Sequence, residues 1–294
     1  MERLRGLLFG AMIGDAFALP AHWQYDTGVL ESQFKDYDHY IPVLNHPYHG
    51  DKHIGGQTHY GDQALLMLRS IASNEGFNLN AYRAHWCHMM AKYQGYMDKA
   101  SKESLILLES GSKTGSNSDD LAGFTICAPL ITYHFDDEKL FEYLDGAVKL
   151  THDSISLVKT SHFLTYALLE LIIGKSLEDA FAVACEKVPD QRQWLDRIER
   201  YSEFDATTIV KNFGQSCSFN FALPSALSIA LKYKDDFLGA MRANVLAGGD
   251  SAARGMLIGM VLGTYLGYPQ LPDDLKTHLG HRDLLLLYTK HHRV

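Results

Sequence analysis

The sequence lacks the features that define several classes of protein. It has no proline-, glycine- or serine-rich linker, no low-complexity run and no long block of one charge. Its four cysteines are scattered without a CxxC pair, which excludes the disulfide framework of a small secreted domain. The apolar run from Met256 to Tyr268 is shorter than the roughly 20 residues of a membrane span. We therefore expect a cytoplasmic protein that has no membrane partner.

The chain also lacks an excess of basic residues. Its formal net charge is −8, whereas binding to a phosphate backbone needs a basic face, so no nucleic-acid partner is expected. A small anionic ligand held by a few local groups remains compatible with this charge. Hydrophobic residues make up 46% of the chain, which is enough for a substantial core.

Helical periodicity dominates what is present. The segments Gly61 to Asn74 and Ser161 to Gly174 carry apolar residues at three- and four-residue spacings, and no series of alternating strands is found. Glycines recur every fourth residue near both ends of the chain, at Gly6, Gly10 and Gly14 and at Gly255, Gly259, Gly263 and Gly267. Because this spacing places them on one stripe of a helix, the two helices are predicted to pack closely together. We predict an all-α fold, a compact orthogonal bundle of many helices that forms one domain over residues 1–294.

Polar clusters lie at the ends of the apolar helices. They contain Gly14-Asp15 and His22, then His59-Tyr60-Gly61-Asp62, then Thr151-His152, and finally Gly249-Asp250 with Arg254. Taken singly, Asp62 and Asp250 are explained as helix N-caps. Taken together, the clusters bring His and Asp side chains to helix N-termini, which are natural sites for anions.

The order and spacing of these clusters resemble the ADP-ribosylglycohydrolase family. The segment from Gly10 to Ala16 is similar to the family's opening Gly-x-x-x-Gly-Asp-Ala helix, and Tyr60-Gly61-Asp62-Gln63 takes the place of its Thr-Asp-Asp-Thr motif. Residues 115–130 resemble its glycine-rich loop, Leu150-Thr151-His152 its Leu-Thr-His motif, and residues 248–272 its C-terminal Gly-Gly-Asp segment. The resemblance runs nearly from end to end. It implies that the protein hydrolyses an ADP-ribosyl or related glycosidic bond.

Two of the family's metal-binding motifs are altered. In the family, these motifs hold a pair of magnesium ions, but here Gly61 and Ala252 replace two of the aspartates and Tyr60 replaces a threonine. Asp62 and Asp250 are retained, and magnesium prefers oxygen ligands in near-octahedral geometry. The resemblance therefore implies no tightly bound cofactor and at most one weakly held magnesium ion, so that any activity should persist in EDTA.

The resemblance also implies which residues form the site. Candidate catalytic residues are Asp62, Asp250, His22, His59 and His152, with a histidine as the base. Candidate ligand-contacting residues are Asp15, Tyr60, Gly115, Ser116, Asn117, Asp119, Asp120 and Arg254. We expect Asp62, Asp250, His152 and the loop from Gly115 to Asp120 to form one cleft with His22 and His59 at its rim.

Three functional hypotheses remain open at this stage. The first is a glycosidic-bond hydrolase acting on an ADP-ribosyl-type ligand with reduced or absent metal dependence. The second is a non-catalytic relative that binds a nucleotide-like ligand or has a regulatory role, and pairing of Arg254 with Asp62 or Asp250 would favour it. The third is a purely structural role, as in crystallins. The sequence indicates no particular protein partner.

Overall fold

Two buried helices from opposite ends of the chain, α1 (Glu2–Ala18) and α15 (Ser251–Leu266), pack against each other. A methyl group added at Gly10 would overlap the carbonyl oxygen of Gly259, and one added at Gly14 would overlap that of Gly255. The two backbones touch because neither helix carries a side chain along this stripe. The predicted contact between the glycine-rich helices is therefore confirmed.

The structure is a computed structural model that describes residues 1–44, 46–50 and 52–291. Within these residues it is all α, as predicted, and its pairings of β type are two isolated bridges, Ser116 with His152 and Asp120 with Ser218. The remaining α-helices are α2 Thr27–Phe34, α3 His59–Ser73, α4 Leu79–Met90, α5 Lys99–Glu109, α6 Ala122–Thr125, α7 Ala128–His134, α8 Leu140–Lys149, α9 Ile155–Ile172, α10 Leu177–Lys187, α11 Arg192–Glu199, α12 Ala206–Phe213, α13 Phe219–Lys232, α14 Phe237–Leu246, α16 Asp273–Thr277 and α17 Arg282–His291.

Within the described part of the chain, two segments are long and apolar enough to cross a membrane by length and hydropathy alone, Glu2–Ala21 and Ile155–Ile172. However, 89% of the first apolar stretch and 56% of the second are buried inside the fold. Core helices that are covered by other helices show the same apolar composition. The N-terminal run is thus a helix of the protein core.

Capping side chains fix the N-termini of the two helices, α3 and α15, that carry Asp62 and Asp250. Asp250 accepts a hydrogen bond from the amide of Ala253 and so caps α15, in agreement with the capping interpretation. The N-terminus of α3 is capped by Thr58 instead of Asp62, which lies within the first turn. Asp62 is therefore free to make contacts outside its own helix.

Candidate functional site

A cavity of about 440 Å³ lies between the start of α3, the start of α5 and the loop before α6. Its lining comprises Trp23, Tyr60, Tyr96, Asp98, Lys99, Ala100, Glu103, Asn117, Ser118, Asp119, Asp120 and Cys217. Four of the predicted ligand-contacting residues, Tyr60, Asn117, Asp119 and Asp120, are thus brought together. The wall is rich in carboxyl groups and contains three aromatic side chains, so it can contact both the charged and the flat parts of a ligand.

The loop that carries Asn117 to Asp120 is fixed at its N-terminal end. The amide of Asp153 donates to the carbonyl of Ser116, whose hydroxyl donates to the carbonyl of Thr151 at 2.8 Å. A side chain at Gly115 would overlap the backbone at Leu150, so this glycine is needed for the close approach. Gly115 and Ser116 were predicted to contact the ligand, but they are buried and hold the loop in place.

The central feature of the site is a pair of carboxyl groups that share one phenol. The hydroxyl of Tyr60 lies 3.1 Å from Oδ2 of Asp120 and 3.1 Å from Oδ2 of Asp250. The other oxygen of Asp120 accepts from the amide of Ala122 at 2.9 Å, and that of Asp250 accepts from Ala253 at 3.3 Å. Asp120 lines the cavity, whereas Asp250 is fully buried behind Tyr60.

Burial and mutual repulsion keep this pair from ionising together. Burial and the negative charges of Asp250 and Asp98 raise the pKa of Asp120 well above its usual range. Burial also raises the pKa of Asp250, but the positive charge of Arg254 opposes that shift. We therefore assign the proton that the pair shares at neutral pH to Asp120. A protonated carboxyl group at a cavity wall can act as a general acid.

Asp62 makes its contacts away from this pair. Its Oδ2 atom lies 2.5 Å from the ammonium nitrogen of Lys52 and 2.5 Å from the hydroxyl oxygen of Tyr93. This arrangement differs from the predicted role of Asp62 as a catalytic residue and a magnesium ligand. The physical reason is that the Lys52 ammonium already neutralises the carboxylate, which leaves little attraction for a second cation.

The three candidate histidines are buried and do not line the cavity. His22 and His59 are each 1% exposed, and His152 is 3% exposed, although the first two were expected at the rim of a cleft. Burial lowers the pKa of His22 well below its usual value and that of His152 to about 4. His22 and His152 are thus uncharged at neutral pH. They lack both the access and the basicity that the predicted general base requires.

Two further predicted ligand contacts have structural roles. Asp15 is fully buried and accepts hydrogen bonds from the amide and the hydroxyl of Thr58, both at 2.6 Å. Arg254 is also fully buried, and it donates to the side chain of Asn244 at 2.9 Å and to the carbonyl of Gly248 at 2.7 Å. Arg254 therefore donates to Asn244 and to a backbone carbonyl. Within the described residues it does not form the ion pair with Asp62 or Asp250 that was considered from the sequence.

Several residues of the site were not identified from the sequence, namely Lys52, Asp98 and Tyr96, together with His49. Asp98 could have been identified as a helix N-cap, since aspartate is favoured at that position. In the structure it caps α5 by accepting from the amide of Ser101 at 2.7 Å. Trp23 directly follows the candidate His22 in the sequence but was not identified as a site residue. Its backbone has a φ of 64°, a conformation that costs energy for a side chain of this size.

A second cavity of about 440 Å³ lies between α10, α11 and α13. Its walls are mainly apolar, with charged side chains such as Glu178, Arg192 and Lys232 among them. It contains no buried pair of carboxyl groups. The first cavity, where polar groups with shifted pKa values converge, is therefore the better candidate for chemistry.

The donors present do not fit a pair of magnesium ions. Among the described residues, two groups of three side chains bring potential ligand atoms within 4.8 Å of one another, His22 with His49 and His59, and Asp120 with Cys217 and Asp250. The first group offers nitrogen only, and the second offers two carboxyl groups and a thiol. Magnesium prefers an all-oxygen shell, and a second ion needs further bridging carboxylates.

Comparison with known proteins gives concordant results across nearly the whole chain. A family model described as ADP-ribosylglycohydrolase matches residues 1–291. Crystallin J1B of Tripedalia cystophora is 24% identical over 296 residues, covering 93% of this chain and 90% of the relative; crystallin J1A of the same animal is 21% identical over 295 residues, with the same coverage. A solved structure titled ADP-ribosylglycohydrolase-related protein complex superposes with a TM-score of 0.70 at 18% identity, covering 98% of this chain and 95% of that one.

Proposed function

Since the chain belongs to the ADP-ribosylglycohydrolase family, we propose that it hydrolyses an ADP-ribosyl or related glycosidic bond, with Asp120 as the catalytic acid and base and without a magnesium pair. The observation that carries this proposal is the contact of Asp120 and Asp250 with one hydroxyl group, that of Tyr60, at the wall of the cavity. The cavity is large enough for part of such a ligand.

The reaction follows from where the proton is held. Asp120 gives its proton to the leaving oxygen or nitrogen while the bond from that atom to the anomeric carbon breaks, and the electron pair leaves with the acceptor group. The neighbouring carboxyl groups of Asp98 and Asp119 stabilise the positive charge that develops on the sugar. Water then attacks the anomeric carbon and returns a proton to Asp120. The role of Asp250 is to raise the pKa of Asp120 through its negative charge, which makes it a positioning residue.

The charges of the cavity wall suggest how the ligand is oriented. Asp98, Glu103, Asp119 and Asp120 are the acidic residues of the lining. Among the described residues its cationic side chain is Lys99, which pairs with Glu103 at 3.6 Å. We assign the sugar to the acidic part and the diphosphate to the end nearest Lys99. Trp23 and Tyr96, whose ring centroids lie 4.9 Å apart, offer aromatic surface for the base.

Replacement of Asp120 tests this proposal. ADP-ribose release would be measured across pH from two conjugates, one to a guanidinium and one to a hydroxyl group. We expect Asp120→Asn to slow the wild-type reaction by ~100-fold or more, as for loss of a general acid and base. Asp136→Asn, at an exposed position, is the matched control and should react at the wild-type rate. Wild-type turnover that Asp120→Asn leaves unchanged would refute the proposed role.

The alternative is a relative that binds an ADP-ribose-like ligand without cleaving it. The observation in its favour is the ion pair of Lys52 with Asp62. Because of this pair, Asp62, a carboxylate retained from the family motif, is not available for catalysis or for binding a metal ion. Titration calorimetry with free ADP-ribose distinguishes the two functions. Binding without release of ADP-ribose from either conjugate would support the alternative and contradict the hydrolase proposal.

A further inference from the structure

Three histidine rings from separate segments meet beside the cavity. His22 follows the short 3₁₀ turn after α1, His49 lies in the long connection between α2 and α3, and His59 is the first residue of α3. Their ring centroids are 5.5 to 6.1 Å apart. One nitrogen from each ring lies within 4.8 Å of the others, and none of the three residues is more than 1% exposed.

Most of the nitrogen atoms of these rings have no hydrogen-bond partner among the residues that the structure describes. They are Nε2 of His22 and both ring nitrogens of His49 and of His59, all buried. Buried polar atoms in proteins are almost always paired, because an unpaired one loses its bond to water without replacement. A transition-metal ion would take one of these nitrogens from each ring, because three imidazoles are among its usual ligands.

We propose that His22, His49 and His59 bind one divalent transition-metal ion of the zinc type. For His22 we assign Nε2, in the tautomer that carries its proton on Nδ1, which faces Oδ1 of Asp250 at 3.7 Å; this tautomer gives up the hydrogen bond from the amide of Ala252 to Nδ1. For His59 we assign Nδ1, because its Nε2 faces Oδ2 of Asp98 at 3.5 Å. A carboxylate behind a metal-bound histidine is a common arrangement that fixes the orientation of the ring.

The geometry requires only small ring movements. Zinc–nitrogen bonds of about 2.0–2.1 Å place the ligand nitrogens roughly 3.5 Å apart, and the structure holds one nitrogen of each ring within 4.8 Å of the others. Neighbouring His46 is not a ligand, because its Nε2 bonds the carbonyl of His22 and its Nδ1 accepts the amide of His49. His46 instead holds the backbone of His49 in place beside the cluster.

The ion would join three parts of the chain that otherwise meet only through packing. It would fasten the connection between α2 and α3 to the end of α1 and to the start of α3. Trp23 and Tyr60, which line the cavity, stack on His22 and His59 with ring centroids 4.2 Å and 3.9 Å apart. The role that follows is structural, in that the metal site supports the cavity wall without contacting the ligand.

Cobalt provides a direct test, because nitrogen ligands around Co²⁺ give intense visible absorption bands that the hydrated ion lacks. Chelator-treated full-length protein would be titrated with Co²⁺, Zn²⁺ and Mg²⁺. We expect one Co²⁺ or one Zn²⁺ to bind per chain, and either ion to raise the melting temperature. The Co²⁺ form should show visible bands without the near-ultraviolet absorption of a thiolate ligand. Magnesium should produce none of these changes.

Variants assign the ligands. His49→Asn and His59→Asn should each weaken Co²⁺ binding by 100-fold or more, with folding checked by circular dichroism. His88→Gln, at an exposed position on α4, and Cys217→Ser, in the other ligand group, should bind as the wild type does. Failure of the wild-type protein to bind either ion would overturn the proposal whether or not the variants fold. So would bands that disappear in Cys217→Ser.

Discussion

Asp120 and Asp250 come from distant parts of the chain, yet both carboxyl groups contact the hydroxyl of Tyr60 at 3.1 Å. A phenol has one proton and can donate it to only one of them at a time. The second contact is favourable when the other carboxyl group is protonated and donates to the phenol oxygen. The arrangement therefore favours a pair that carries one proton, which is the state that acid catalysis by Asp120 needs.

Removal of the hydroxyl group of Tyr60 should destabilise this pair. In Tyr60→Phe both buried carboxyl groups lose a hydrogen bond, so we expect the free energy of unfolding to fall by ~1.5–3 kcal/mol at neutral pH. Urea denaturation followed by circular dichroism measures the change. Tyr82→Phe is the matched control, because the hydroxyl of Tyr82 is buried without a partner and its removal should not destabilise the protein. Equal effects of the two substitutions would contradict the bridging role of Tyr60.

Asp15 should make stability depend on pH. Burial raises its pKa from 3.8 to about 6, so the folded protein binds this proton more tightly than the unfolded chain does. Stability from this group is therefore present below about pH 4 and is lost as the pH rises through about 6, by roughly 3 kcal/mol in total.

The comparison with Asp15→Asn isolates this effect, since an amide stays neutral. Between pH 4 and pH 7 the free energy of unfolding of the variant should rise relative to that of the wild type by roughly 3 kcal/mol. Urea denaturation of both proteins at several pH values gives the difference. A difference that is constant with pH, or that changes in the opposite direction, would show that Asp15 does not hold a proton in this range.

The contact between α1 and α15 predicts a large effect of a small substitution. In Gly259→Ala the added methyl group overlaps the carbonyl oxygen of Gly10, and backbone cannot move aside as a side chain can. We expect a loss of stability of about 1–3 kcal/mol or more. Gly146→Ala in α8 is the control, because its methyl group meets only the end of the Leu79 side chain. An unchanged melting temperature of Gly259→Ala would contradict the close contact of the two helices.

The contact of these helices could be predicted from the sequence because it depends on a local pattern. Glycines four residues apart lie on one side of a helix wherever that helix packs. The loop residues Asp119 and Asp120 were also identified, since they stand in an irregular polar segment. In both cases the signal is contained within a few neighbouring residues.

The partners within the site could not be predicted, because they depend on contacts between distant segments. Lys52 lies in a connection without periodicity, and nothing in the sequence indicates that its ammonium reaches Asp62. His49 is in the same connection, and its burial follows from packing around Trp23. The roles of Asp15 and Arg254 differ from the prediction because each is buried among backbone groups.

The dependence of ADP-ribose release on magnesium tests the proposed chemistry most directly. EDTA-treated protein would be assayed with the guanidinium and hydroxyl conjugates, before and after magnesium is restored in excess. Because Asp120 supplies the proton and Lys52 already neutralises Asp62, we predict the same rate of release under both conditions for at least one conjugate. Release that occurs only after magnesium is restored would contradict the account.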